Sequence, residues 1–188
     1  MLDYAVEMFL EAGFEQTTVV AIANRAGVSK RTVYEHYHDK EDLFKAAMHR
    51  ALERYTLPLE TLRECASDTL EQTLMAVARL RVENASTTSG VQLQRILIAQ
   101  SYRFPELWTV LEKSIEPTLI FLSEQFAHPD HRDEIHVINA QRTAMAFISL
   151  VVSGPARLVS SGKALSKEEI EARIQFTVQL FLNGIRRR

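Results

Sequence analysis

Two short helical patterns hinged on Ala26-Gly27-Val28-Ser29 constrain this chain more than any other feature. Thr17 and Thr18 are N-cap candidates for the first pattern, which turns Ile22, Ala23 and Ala26 inward. Gly27 permits the tight turn, and Ser29 can cap a second helix that reaches about Tyr37. The second helix carries Lys30, Arg31, Thr32, Tyr34 and His36, with Lys40 just beyond it. A positioning helix, a glycine turn and a helix rich in donors make the layout of a helix-turn-helix, whose second helix enters the DNA major groove.

The rest of the chain also reads as all-helical. Leu2, Ala5, Val6, Phe9 and Leu10 follow helical spacing, and Gly13 suits the end of that helix. A fourth helix starts near Asp39 and shows Leu43, Ala47 and Ala51 on one side, with Phe44 and Met48 beside them. After Thr56-Leu57-Pro58, one long stripe of Leu59, Leu62, Ala66, Leu70, Leu74 and Val77 is predicted to end before the polar run 84–90. Residues 91–99 alternate like a strand and then turn solidly apolar; helix is the reading that agrees with their surroundings. Pro105 can open the next helix, where Trp108, Leu111, Ile115, Leu119, Leu122 and Phe126 recur at helical spacing. Pro117 predicts a kink or a break there. A polar loop over 127–133 precedes the stretch 135–159, which is apolar on nearly every face from Ala144. Ser166 and Glu169 have the spacing of a capping box for the last helix. Its Arg186-Arg187-Arg188 tail complements the negative end of the helix dipole.

Charge narrows the kind of DNA binding. Net charge is −2, and in residues 1–55 seven basic side chains face nine carboxylates. Only between Arg25 and Lys40 do bases outnumber acids, four against Glu35 and Asp39. A non-specific polyanion binder is more basic overall, so any affinity must come from placement. No apolar stretch approaches the ~20 residues of a membrane helix, and no leader pattern follows Met1. With a single cysteine, Cys65, and no internal disulfide, a cytoplasmic protein without a membrane partner is expected.

Other chemistry has weaker support. His128, Asp130, His131, Asp133 and His136 are ligand types, but their spacing matches no fixed metal frame, so a solvated loop and no metal are expected. Cys65 reads as a small core residue. No HExxH, GxSxG, phosphate-cradling glycine loop or Cys-His pair is present, so neither enzyme nor cofactor is expected. Tyr102, Phe104, Trp108, Phe121, Phe126, Met145 and Phe147 could line an apolar pocket or form plain core. Arg79, Arg95 and Arg142 lie in apolar stretches and could supply its few polar groups, or else form ion pairs.

The run AGFEQTTVVAIANRAGVSKRTVYEHYHDKEDLF resembles the TetR/AcrR family of bacterial one-component regulators, over about 2–48. LQRILIAQSYRFPELW, residues 93–108, looks like the AefR-like subgroup of C-terminal domains. The resemblance implies a three-helix DNA-binding domain over 1–48, a linking fourth helix, and a helical-bundle domain for ligand binding and dimerisation over 49–188. It places Lys30, Arg31 and Thr32 at base edges, Tyr34, His36 and Lys40 at phosphates, and Thr17, Thr18 and Ser29 at the helix starts. It further implies a homodimer built on the last two helices. Support in the residues comes from the apolar run 144–152, with Phe147 and Val151, and from Ile170, Ile174, Val178, Phe181, Leu182 and Ile185. The implied function is a homodimeric repressor released from a near-palindromic operator by a small molecule.

Two departures stand out. Family members usually carry a basic arm and a full first helix before the position of Leu2, so the first helix is read as truncated. Val20 and Ala21 also stand where the family often has charge. Together with the acidic balance, these features motivate the alternative of a helical small-molecule-binding protein with weakened or lost DNA binding.

Overall fold

The computed structural model describes residues 1–131, 133–160 and 166–187, with the backbone alone over 153–160. The side chains of the apolar run 153–159 and Arg188 lie outside the described residues. In chain order the helices are α1 (Leu2–Gln16), α2 (Val19–Ala26), α3 (Lys30–His36), α4 (Lys40–Tyr55) and α5 (Leu59–Arg63). Then come α6 (Leu70–Ser86), α7 (Thr88–Gln100), α8 (Glu106–Ala127), α9 (Ala140–Ser160) and α10 (Lys167–Ile185). Among the described residues there is no strand, only an isolated bridge between Ile135 and Arg186. The fold is all-α, with α1 to α3 as the helix-turn-helix and α4 following it.

The chain divides into two compact units. The first comprises Met1–Thr56 and Thr88–Ser114, the second Leu57–Thr87 and Ile115–Arg188. In the first, α1 packs on α4, and α7 packs on both. Its centre is aromatic: Phe9 meets Phe44 at 5.0 Å between ring centroids, and Phe14 meets Phe44 at 4.9 Å. Phe104, from the loop between α7 and α8, closes the cluster at 5.0 Å from Phe44 and 5.4 Å from Phe14. All four rings are buried, each worth roughly 1.5–3 kcal/mol of apolar transfer.

In the second unit α6 packs on α9 and α10. Its core holds Leu62, Leu70, Leu74, Val77, Phe121, Leu122 and Phe126 with Phe147, Val151, Ile174, Val178, Phe181 and Leu182. Ser166 and Glu169 close the capping box as their spacing predicts. Arg79 reaches from α6 to Glu171 on α10, and that hydrogen bond is the chief cause lowering the Glu171 pKa. The last helix is pinned by Glu71, which accepts from Gln179 and Arg186.

Three sequence expectations need correction. The stripe from Leu59 to Val77 is two helices, because Thr69 caps a new start by accepting from the Gln72 N–H at 3.2 Å. Thr73 Oγ1 also takes the Ser67 N–H, so the intervening turn is held by hydroxyls and Ala66 faces solvent. The polar run 84–90 is mostly helical: α6 continues to Ser86 and α7 opens at Thr88, with Ala85 and Gly90 buried as anchors. Pro117 does not split the segment into two helices, since α8 runs through it from Glu106 to Ala127. A proline there removes one backbone N–H, and burial of Thr118, Phe121 and Leu122 just beyond holds the helix together.

Candidate nucleic-acid interface

The helix-turn-helix is assembled by caps whose chemistry is visible residue by residue. Thr18 caps α2 by accepting from the Ala21 N–H at 3.1 Å. Gly27 takes φ +67° and ψ 26°, the left-handed region that favours glycine, and the Val28 N–H then returns to the Ala23 carbonyl. Ser29 caps α3 through the Thr32 N–H at 3.0 Å. Val33 is buried on the inner side of α3, which fixes the helix roll and turns Lys30, Arg31, Tyr34 and Glu35 outward. Asp39 then caps α4, accepting from the Asp42 N–H at 2.8 Å.

The basic groups here are already engaged within the protein. Lys30 Nζ sits 5.5 Å from the Tyr34 ring centre, and Arg31 Nε is 3.2 Å from Glu35. Arg25 pairs with Glu7 at 3.1 Å and lies 3.9 Å from Glu11. Lys40 donates to the Glu15 carbonyl at 3.3 Å and lies over the Phe14 ring. Exposed pairs of this kind contribute about 0–1 kcal/mol, so a phosphate can displace the carboxylates at little cost. Arg31 is 89% exposed, so its fork is accessible to a base edge.

Thr17 is placed differently from its expectation. It is buried, and its single hydroxyl proton is shared between the Gly13 carbonyl at 2.8 Å and the Met8 carbonyl at 3.1 Å. The cause is Gly13, whose φ of +79° breaks the regular ladder of α1 and leaves carbonyls that need a donor. Thr17 therefore ties α1 to the turn before α2, with its hydroxyl turned inward. Thr18, Ser29, Lys30, Arg31, Tyr34 and His36 are exposed, and Thr32 and Lys40 are half-buried on the same helical starts.

Sequence reasoning missed Arg103, and it named Phe104 as pocket or core without assigning it to this unit; both lie far along the chain yet belong here. Arg103 binds Glu15 at 3.0 Å and Glu41 at 2.5 Å, and the Glu41 hydrogen bond is the main cause raising its pKa. Lys45 and Glu106 add a further pair at 3.0 Å.

The candidates for a ligand pocket do not share one environment. Phe121 and Phe147 are fully packed core of the second unit, Phe147 lying against Phe181 at 4.9 Å. Arg79, Arg142 and Met145 of the same unit are exposed, as are Arg95, Tyr102 and Trp108 of the first. Leu107 is buried in place of Trp108, one position off the predicted stripe. Among the described residues, the buried arginine is Arg81, on α6, at 1% exposure.

The expected dimer residues also face the other way. Phe147, Val151, Ile174, Val178, Phe181 and Leu182 are buried in their own protomer and Ile185 is partly so. The outer sides of α9 and α10 instead show Met145, Leu150, Phe176 and Leu180, with Phe176 at 69% exposure. The apolar period of α10 supports two stripes, and the richer one is the core.

Residues 1–47 match the family model for bacterial regulatory proteins of the tetR family. Residues 72–184 match that of the AefR-like transcriptional repressor C-terminal domain. The transcriptional regulator BetI of Escherichia coli (strain K12) is 25% identical over 169 residues, 89% of this chain and 84% of BetI. The transcriptional repressor ComR of the same strain is 29% identical over 73 residues, only 39% of this chain and 35% of ComR. A TetR-family regulator from Mesorhizobium loti MAFF303099 superposes with a TM-score of 0.84 at 24% identity, covering 99% of this chain and 95% of that one. The flavonoid-responsive regulator FrrA gives 0.72 at 29% identity, covering 100% and 97%. No described helix is long and apolar enough to cross a membrane. With its N-terminal helix-turn-helix and AefR-like C-terminal domain, the chain belongs to the TetR family and is a transcriptional regulator.

Proposed function

We propose that this regulator is a homodimeric repressor that binds a near-palindromic operator and leaves it when a small molecule occupies the C-terminal domain. The observation that carries the DNA part is the outer face of α3. Lys30, Arg31 and Tyr34 are exposed there, while Ser29 and Val33 fix the helix. In this reading Lys30, Arg31 and Thr32 meet base edges, and Tyr34, His36 and Lys40 meet phosphates. Ser29 and Thr18 act through the backbone amides that they cap. The chain works by binding and not by catalysis, in the cytoplasm where its DNA is.

The second copy covers the outer sides of α9 and α10, where Met145, Leu150, Phe176 and Leu180 form exposed apolar surface. A two-fold dimer sets its recognition helices about 34–36 Å apart, on successive major grooves. Likeness to a flavonoid-responsive regulator supports a small-molecule effector. That molecule can shift the DNA equilibrium only by its differential affinity for the two states.

Replacing Lys30 and Arg31 together by alanine tests the assignment. Operator affinity should fall by roughly tenfold or more, and discrimination against unrelated DNA should fall with it. Unchanged affinity and discrimination would place the reading surface elsewhere.

A further inference from the structure

We propose that Arg103, outside the helix-turn-helix in sequence, is a positioning residue for DNA binding that neutralises Glu15 and Glu41 so that Lys40 can hold a phosphate. The proposal rests on the assignment of Lys40 as a phosphate contact. Lys40 is tied to both acidic residues through the backbone: its ammonium donates to the main-chain carbonyl of Glu15, and Glu41 follows it in the first turn of α4. Arg103 spans both carboxylates, with Nη1 at 3.0 Å from Glu15 and Nε and Nη2 at 3.2 and 2.5 Å from Glu41. Its guanidinium lies 4.5 Å from the centre of the Phe14 ring, the ring that also carries Lys40 at 4.4 Å. Phe104, the next residue, is buried against Phe14 and Phe44 and anchors the loop.

The charges explain why this matters. With Arg103 in place, Lys40, Arg103, Glu15 and Glu41 sum to zero; without it they sum to −1, beside Asp39 and Asp42 at the same helix end. A phosphate approaching α4 would then meet carboxylates that compete for Lys40 and repel the phosphate.

The test is fluorescence anisotropy of full-length protein on a labelled duplex selected by the wild type from randomised DNA. Arg103→Met keeps an apolar stem over Phe14 and removes the charge. It should weaken binding roughly fivefold to tenfold at about 50 mM salt, with the loss shrinking toward about 200 mM. Glu15→Gln with Glu41→Gln should bind at least as tightly as wild type, and the triple variant should recover the wild-type value. If Arg103 were only a structural strap, the double glutamine variant would bind weakly too and the triple would not recover. That result, or an unaffected Arg103→Met, overturns the proposal. Should Arg103→Met fail to fold, as judged by circular dichroism, the double glutamine arm decides alone. Lys40→Ala separates the premise: no loss there removes the phosphate assignment and the proposal with it. A loss there without rescue in the triple removes the proposal alone.

Discussion

Adjacent threonines have opposite duties here. Thr17 is buried with its hydroxyl on α1 carbonyls, and Thr18 is exposed with its hydroxyl on the start of α2. Thr17→Val should lower stability by about 1 kcal/mol through the lost hydrogen bonds, seen in urea melts, with the DNA salt slope unchanged. Thr18→Ala should cost a similar ~1 kcal/mol as a lost cap. A Thr17→Val variant of full stability and weaker salt slope would return Thr17 to the DNA surface. Sequence alone made both residues cap candidates. Choosing between them required the left-handed Gly13, which changes where the carbonyls of α1 point.

At the scale of helices, capping residues and glycine turns were legible and faces were less so. The starts of α2, α3 and α10 match their predicted caps, and α4 starts beside Asp39 as expected, because each depends on side chains within three residues. Two apolar stripes share α10, and packing against α6 and α9 puts the stripe named for dimerisation in the protomer's own core. We therefore expect Phe176→Glu with Leu180→Glu to shift sedimentation from dimer to monomer while thermal melting stays cooperative. An unchanged dimer would place the interface on another surface. The Arg79–Glu171 pair adds a pH signature between α6 and α10. Its folded carboxylate has a lowered pKa, so its stabilising share is present above the ordinary carboxylate range and disappears as pH falls through the lowered value. Glu171→Gln should flatten the acid limb of the stability curve; an acid limb identical to wild type would show that the pair contributes nothing.

Across the whole molecule, composition said little about DNA and placement said more. A net charge of −2 coexists with a recognition helix whose bases lie outward, because their balancing acids are local and displaceable. Long-range relations such as Arg103 with Glu15 and Glu41 left no periodic trace, since 88 and 62 residues separate the partners. The pocket candidates were open for a related reason: aromatic residues at helical spacing mark core as readily as cavity, and Phe121 and Phe147 are packed core. Sequence-specific DNA binding is the central claim, and anisotropy of the wild-type protein tests it most directly. Duplex from upstream of its own gene and duplexes from a randomised pool would be titrated against an unrelated duplex across salt. The account predicts saturable binding to at least one sequence that exceeds the control by about 10³ or more, with a salt slope that counts the phosphate contacts. Equal, weak binding to every duplex, with no sequence enriched from the pool, would contradict it.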